Sequence, residues 1–170
     1  MGRNLYLIGF MGVGKSTVGK RVARNLGTWL MEMDETIEKE QGRTIKDIFA
    51  TEGEEYFRDL ETDLVRRISQ MEGKIVSCGG GAVLREENVK MMKESGHILF
   101  LAATPESIYQ RVRHSTKRPL LNGNMNVEYI AGLMEKRRAI YEAAADYCIH
   151  TDGKTLEMVA KEVKDLLQSL

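Results

Sequence analysis

The chain has 170 residues, enough for one well-buried core, so a single domain over 1–170 is expected. Its 25 basic and 25 acidic residues cancel, which removes the global field that nucleic acid or an anionic membrane would need, although local clusters can still hold anions. No apolar stretch approaches the roughly 18 residues of a membrane span, a glycine-rich loop stands where a signal peptide needs its apolar region, and Tyr6 occupies the Ser/Thr position of a myristoylation signal; a cytoplasmic protein without a membrane partner is expected.

In chain order, Leu5-Tyr6-Leu7-Ile8 is an apolar run that can form a buried strand. It leads into Gly9-Phe10-Met11-Gly12-Val13-Gly14-Lys15-Ser16, a complete G-x-x-x-x-G-K-S phosphate-binding loop. Val18, Val22 and Leu26 then recur at helical spacing until Gly27 ends a helix over 15–26. Such a loop curls closely around phosphate and turns its amides and the helix N-terminus towards negative charge. Gly12, Val13, Gly14, Lys15, Ser16 and Thr17 are therefore candidate nucleotide-binding residues. Lys15 can reach the β- and γ-phosphates, and the Ser16 hydroxyl can ligate Mg²⁺.

A second strand is expected over 30–33, delivering Asp34 to the C-terminal edge of the sheet, where ligands gather in open α/β sheets. A carboxylate there can orient a substrate hydroxyl and accept its proton. Glu32, two residues earlier and on the same side of an extended chain, can reach a hydrated magnesium ion. The alternative for both is that they end a strand and cap the next helix.

Helices are expected over 34–41, 44–50 and 53–71, the last with an apolar stripe through Phe57, Leu60, Leu64, Val65 and Ile68. A strand over 75–78 runs into Gly79-Gly80-Gly81. Three consecutive glycines cost much backbone entropy, so a small substrate packed on bare backbone explains them better than a plain connector. Ser77 stands where the usual second nucleotide motif has aspartate, and it can position a magnesium-bound water. A helix over 86–94 and a strand over 98–101 follow, then Thr104-Pro105 as cap and first-turn proline of a helix over 105–113. The segment 115–126, built around Arg118-Pro119-Leu120-Leu121, reads as a mobile cover, a lid over about 113–125. A helix over 127–144, a strand over 147–149 and, behind a cap at Thr155, a helix over 155–168 complete the chain. Short apolar strands alternating with helices predict an α/β fold with a parallel sheet covered on both faces.

Cys78 and Cys148 are isolated, and none of His97, His114 and His150 has a partner at metal-site spacing, so neither a disulfide framework nor a zinc site is expected. A phosphate loop alone does not separate a kinase from a GTPase, a translocase or another ATPase. The chain leaves no room for a large motor and has no guanine-reading N-K-x-D-like stretch, while Arg58, Arg111, Arg118 and Arg137 stand where a small-molecule kinase can use them. Phosphoryl transfer needs such positive charge in a closed, dry site.

Beyond the phosphate loop, the chain carries Met33-Asp34 with Ile37-Glu38, then Gly42-Arg43-Thr44-Ile45-Lys46-Asp47-Ile48-Phe49. Glu52-Gly53-Glu54 with Phe57-Arg58 and Glu61 follows, then Gly79-Gly80-Gly81, Arg118-Pro119-Leu120-Leu121, and Arg137 with Tyr141. On these motifs it closely resembles the shikimate kinases, small members of the nucleoside-monophosphate-kinase-like fold group, over essentially its whole length. One departure is Glu32, where the family commonly has aspartate.

The resemblance implies a three-layer α/β/α domain with a five-stranded parallel sheet ordered 2-3-1-4-5 and an acceptor-binding region at about 32–61; a monomer is expected because the full core and all inferred site groups can come from one chain. It implies Mg²⁺ and ATP-dependent phosphorylation of the 3-hydroxyl of shikimate on the route to chorismate and the aromatic amino acids. Asp34 would contact the ring hydroxyls, Arg58 and Arg137 would hold the carboxylate, and Gly79, Gly80 and Gly81 would line the acceptor pocket. Glu61 would position Arg58, and Arg111 with Thr151-Asp152-Gly153-Lys154 would lie near adenine. Arg118 would reach in from the lid towards phosphate and acceptor, completing a catalytic set with Lys15 and Asp34. Ser16, and Glu32 through water, would serve the metal. A gluconate kinase or another small-metabolite kinase would share the loop and lid with different acceptor contacts, and a non-catalytic ATP-binding module would share the loop alone.

Overall fold

Residues 2–113 and 126–170 are described in the computed structural model of the chain. Five strands, β1 (Asn4–Ile8), β2 (Leu30–Glu32), β3 (Ile75–Ser77), β4 (Gly96–Ala102) and β5 (Tyr147–His150), alternate with helices. The helices are α1 (Lys15–Asn25), α2 (Met33–Gln41), α3 (Ile45–Glu52), α4 (Glu54–Ser69), α5 (Glu86–Ser95), α6 (Pro105–Val112), α7 (Val127–Ala144) and α8 (Leu156–Ser169). All strand pairs are parallel, in the order β2-β3-β1-β4-β5, as the family resemblance implies.

The central strands β1 and β3 are buried at every residue, as expected when helices cover both faces of a parallel sheet. The edge strands β2 and β5 are only partly buried. α1 packs with α8 on one face, and α4 with α5 on the other. Gly19 lets α1 lie hard against the edge of the sheet, because a Cβ there would sit 2.6 Å from Leu30 Cδ1. Capping fixes the helix starts as read from the sequence: Thr104 Oγ1 accepts from Ser107 N at 3.3 Å and Thr155 Oγ1 from Met158 N at 3.2 Å. No helix among the described residues is long and apolar enough to cross a membrane.

Element boundaries differ from the sequence expectation by a residue or two, one of them beside a site residue. Strand β2 ends at Glu32 and α2 begins at Met33 with no loop between them. Asp34 therefore lies in the first turn of the expected helix, which starts one residue early, and it does not share the face of an extended chain with Glu32. The helix expected over 53–71 ends at Ser69, where the amides of Gln70 and Met71 turn back onto the carbonyls of Arg67 and Ile68. The expected lid, with Arg118 and His114, lies almost wholly outside the described residues.

A buried polar side chain ties the sheet to α4. Asn4 is 1 % exposed; its Nδ2 donates to Ile68 O (3.2 Å) and Met71 O (3.1 Å), and its Oδ1 accepts from Lys74 N (2.9 Å). Asn4→Ala strands all three backbone groups, so we expect a loss of about 1–3 kcal/mol in urea unfolding. Turnover should be unchanged once the protein is folded, since Asn4 stands at the opposite end of β1 from the phosphate loop.

Candidate active site

The C-terminal edge of the sheet opens into a cleft of about 1460 Å³, larger than the roughly 300–1,000 Å³ that suits one small ligand. Its lining falls into two halves with different chemistry.

The first half is the phosphate loop, which runs from the end of β1 to the start of α1. Its turns require glycine: Gly12 has φ 80°, and a Cβ there would meet Val112 Cγ1 at 2.5 Å. Lys15 arcs back over the loop, its ammonium donating to Gly9 O at 2.5 Å and Phe10 O at 3.3 Å. Arg111, on the last turn of α6, donates from Nη1 to Val13 O and so braces the loop. Thr17, Thr151 and Lys154 line the same half, and Lys154 is paired with Glu162 at 2.8 Å.

Ser16 faces Glu32 across this half. Partial burial raises the Glu32 carboxyl, but hydrogen bonds with the Ser16 hydroxyl and Glu35, and the charges of Lys20 and Lys39, outweigh it and hold the group below the usual glutamate range. A hydroxyl beside an ionised carboxylate is a donor set that a hard cation accepts. Among the described residues there is no cluster of three or more ligating His, Cys, Asp or Glu side chains. Phosphate oxygens and water would therefore supply the remaining ligands, as is usual for magnesium.

The second half is built on the glycine run after β3. None of Gly79, Gly80 and Gly81 has a positive φ, so what they provide is clearance. A Cβ at Gly79 would lie 2.6 Å from Asp34 Oδ1 and 3.1 Å from Glu61 Oε2. At Gly80 it would lie 3.2 Å from Arg137 Nη1, and at Gly81 2.6 Å from Arg58 Nη2 and 2.7 Å from its Cζ. Each bare position makes room for a charged side chain arriving from α2, α4 or α7.

Asp34 keeps a face open to the cleft, yet protein surrounds most of its carboxyl. That burial raises its pKa above the usual aspartate range, against the opposing charges of Lys15 and Arg58 and with the help of Glu38 and Glu32. Glu61 is 1 % exposed; its Oε1 accepts from Arg58 Nη1 at 2.6 Å, and Oε2 has no hydrogen-bond partner among the described residues. Burial raises this carboxyl too, and Arg58 opposes the shift. Arg58 is further contacted by Glu54, whose Oε1 accepts from Nη2 at 3.2 Å and Nε at 3.3 Å.

The structure thus brings the sequence-derived residues to one cleft: Lys15, Ser16, Arg111 and Lys154 on one side, Asp34, Arg58, Gly79–Gly81 and Arg137 on the other, with Glu61 behind Arg58. Arg118 is outside the described residues. Sequence reasoning gave no role to Tyr141, one helical turn beyond Arg137. Its hydroxyl donates to Gly80 O at 2.7 Å and also hydrogen-bonds Arg137, which fixes the glycine run to α7. Its signals in the sequence were the i,i+4 spacing from Arg137 and its place beside Arg137 in the motif that carries the resemblance.

Gly81→Ala tests the clearance argument. The added methyl collides with the flexible end of Arg58 and not with backbone, so the protein should fold while the guanidinium is displaced. We expect acceptor KM to rise at least tenfold, on the order of one lost charge-assisted hydrogen bond, with binary nucleotide affinity unchanged. Unaltered acceptor KM would show that Arg58 is not held where the glycine run puts it.

The shikimate kinase family model matches residues 11–168. The shikimate kinase of Thermodesulfovibrio yellowstonii is 44 % identical over 161 residues, covering 95 % of this chain and 92 % of that protein. The shikimate kinase of Persephonella marina is 45 % identical over 161 residues, covering 95 % and 96 %. Among solved structures, the Acinetobacter baumannii shikimate kinase in complex with shikimate superposes with a TM-score of 0.90 at 32 % identity, over 98 % of this chain and 93 % of that one. The Aquifex aeolicus shikimate kinase does so with a TM-score of 0.82 at 38 % identity, over 97 % and 96 %. With a family model matching nearly its whole length and relatives this similar over more than nine-tenths of it, the chain belongs to the shikimate kinase family.

Proposed function

We propose that this protein transfers the γ-phosphoryl group of ATP to the 3-hydroxyl of shikimate, giving shikimate 3-phosphate and ADP on the route to chorismate and the aromatic amino acids. The observation that carries the assignment is the convergence of Asp34, Arg58 and Arg137 on the glycine run, across one cleft from the phosphate loop. Shikimate is small, polar and anionic. Two arginines suit its carboxylate, because planar guanidinium donors recognise carboxylates bidentately. Asp34 is then left for the ring hydroxyls, on the side nearest Lys15.

In this account Gly12, Val13, Gly14, Lys15, Ser16 and Thr17 hold the nucleotide phosphates, with Arg111 and Lys154 towards the base. Lys15 neutralises charge that builds on the transferring group. Asp34 orients the acceptor hydroxyl and takes its proton as the new P–O bond forms and the bond to ADP breaks. Ser16, and Glu32 through water, would hold Mg²⁺, which when bound draws charge from the β- and γ-phosphates. Arg118 would complete the charge from the lid over about 113–125, and the region at about 32–61 would present the acceptor. Because both halves of the cleft come from one chain, the protein would work as a single-domain monomer; the cytoplasm is its expected location.

Steady-state assays of ADP release with shikimate, gluconate and nucleoside monophosphates test the assignment. Turnover with shikimate alone is expected. Strong turnover of gluconate without shikimate would move the protein to another metabolite kinase, and ATP binding with no acceptor-dependent ADP release would make it a binding module.

A further inference from the structure

Arg58 carries more negative charge than its positioning requires. Glu61 alone is an adequate anchor: it is buried, pairs with Nη1 at 2.6 Å, and sits one turn along the same helix. The Phe57 ring, 5.4 Å from Arg58 Cζ, and the bare backbone of Gly81 confine the guanidinium further. Glu54 is different. It is the first residue of α4, its side chain is 63 % exposed, and one of its oxygens spans both Nε and Nη2 of Arg58. Those two donors form a side-on edge of the guanidinium that binds carboxylates bidentately. With Glu61 and Glu54 both ionised, the three groups together carry one net negative charge in front of an anionic acceptor.

We propose that Glu54 is an internal competitor for the acceptor's carboxylate, a specificity-determining residue that occupies one edge of Arg58 and offsets its charge, so that acceptor affinity is held below what Arg58 could provide. This rests on Arg58 receiving the acceptor carboxylate, as proposed above. The incoming group and Glu54 are chemically the same, so each favours the departure of the other. An exposed carboxylate is the suitable form for such a competitor, since an exposed ion pair is weak and readily exchanged. A buried one, such as Glu61, would not let go.

The expected result has a sign that distinguishes competition from support. In Glu54→Gln, shikimate KM should fall about two- to fivefold, the size of an exposed ion pair, with ATP KM and kcat each within about twofold of wild type. If Glu54 instead positions Arg58, shikimate KM rises; if it serves only the helix start, where a carboxylate favours the dipole, KM stays put while the melting temperature drops. Either result overturns the proposal.

The methyl ester of shikimate, which lacks the charge, supplies a second readout by calorimetric titration. Glu54→Gln should tighten binding of the acid and not of the ester, and an equal gain for both would overturn competition. Arg58→Ala separates this inference from its premise. If that change alone leaves shikimate KM at the wild-type value, the acceptor assignment of Arg58 has failed. If it raises KM while Glu54→Gln has no effect in the wild-type background, only the role of Glu54 has failed.

Discussion

Lys15→Ala should reduce turnover by about 10²–10³-fold, the usual effect of removing one preorganised donor from developing charge, while the protein remains folded. Lys15 opens α1, and its ammonium contacts two carbonyls of the loop it must neutralise. The loop's shape does not depend on those contacts. It is set by the left-handed glycines, by the Val13 amide on Phe10 O and by Arg111 on Val13 O, all of which survive the substitution. The loss should therefore fall on kcat more than on binary ATP affinity, because amides and the helix N-terminus still meet the phosphates. Lys15→Arg restores the charge but not its shape, since a planar fork cannot replace a compact ammonium under a tight loop, and it should recover only part of the rate. Single-turnover measurements at saturating ATP read the chemical step directly. Near-normal turnover in Lys15→Ala would remove the loop from catalysis.

The phosphate loop was legible in the sequence because its geometry is local. Glycine at 12 and 14, lysine at 15 and serine at 16 each answer to the backbone within a few residues, so a single stretch of chain specifies the site. Helix starts at Thr104 and Thr155 were legible for the same reason. The order of the strands was not, because pairing β1 with both β3 and β4 joins segments about seventy and ninety residues distant, and only the family resemblance supplied it. The glycine run was singled out in the sequence as too costly for a connector, but the clearance it gives was not visible there. Its clearance serves side chains from α2, α4 and α7, and such contacts have no signature in local pattern. That Asp34 opens a helix was legible to within one residue, although β2 passes into α2 without turn residues to mark the boundary. Asn4 was missed because a polar residue at the start of an apolar run reads as a boundary, when its side chain in fact satisfies a distant helix end.

Asp34→Asn should lower kcat by about 10²–10⁴-fold, the range of general acid–base catalysis, with a smaller change in shikimate KM. Asparagine keeps the size of the side chain and can still hydrogen-bond a hydroxyl, but its amide cannot take a proton. The substitution therefore separates a base from a group that only orients: retention of most turnover would leave Asp34 the second role alone. Stability gives an independent check. The folded-state pKa of Asp34 is raised, chiefly by burial, so between the unfolded and folded values the native protein binds the extra proton and stability falls as pH rises. At neutral pH the ionised carboxylate thus opposes folding, and below the unfolded-state pKa it does not. Asp34→Asn should raise the melting temperature at neutral pH and leave it near wild type only below the unfolded-state pKa. The wild-type kcat/KM for shikimate should climb with pH through the same raised pKa, because only the carboxylate can accept the hydroxyl proton, and that limb should vanish in the variant. A side chain present for packing would lose stability and keep its rate; a base held ready at the cleft beside Lys15 and Arg58 should do the reverse.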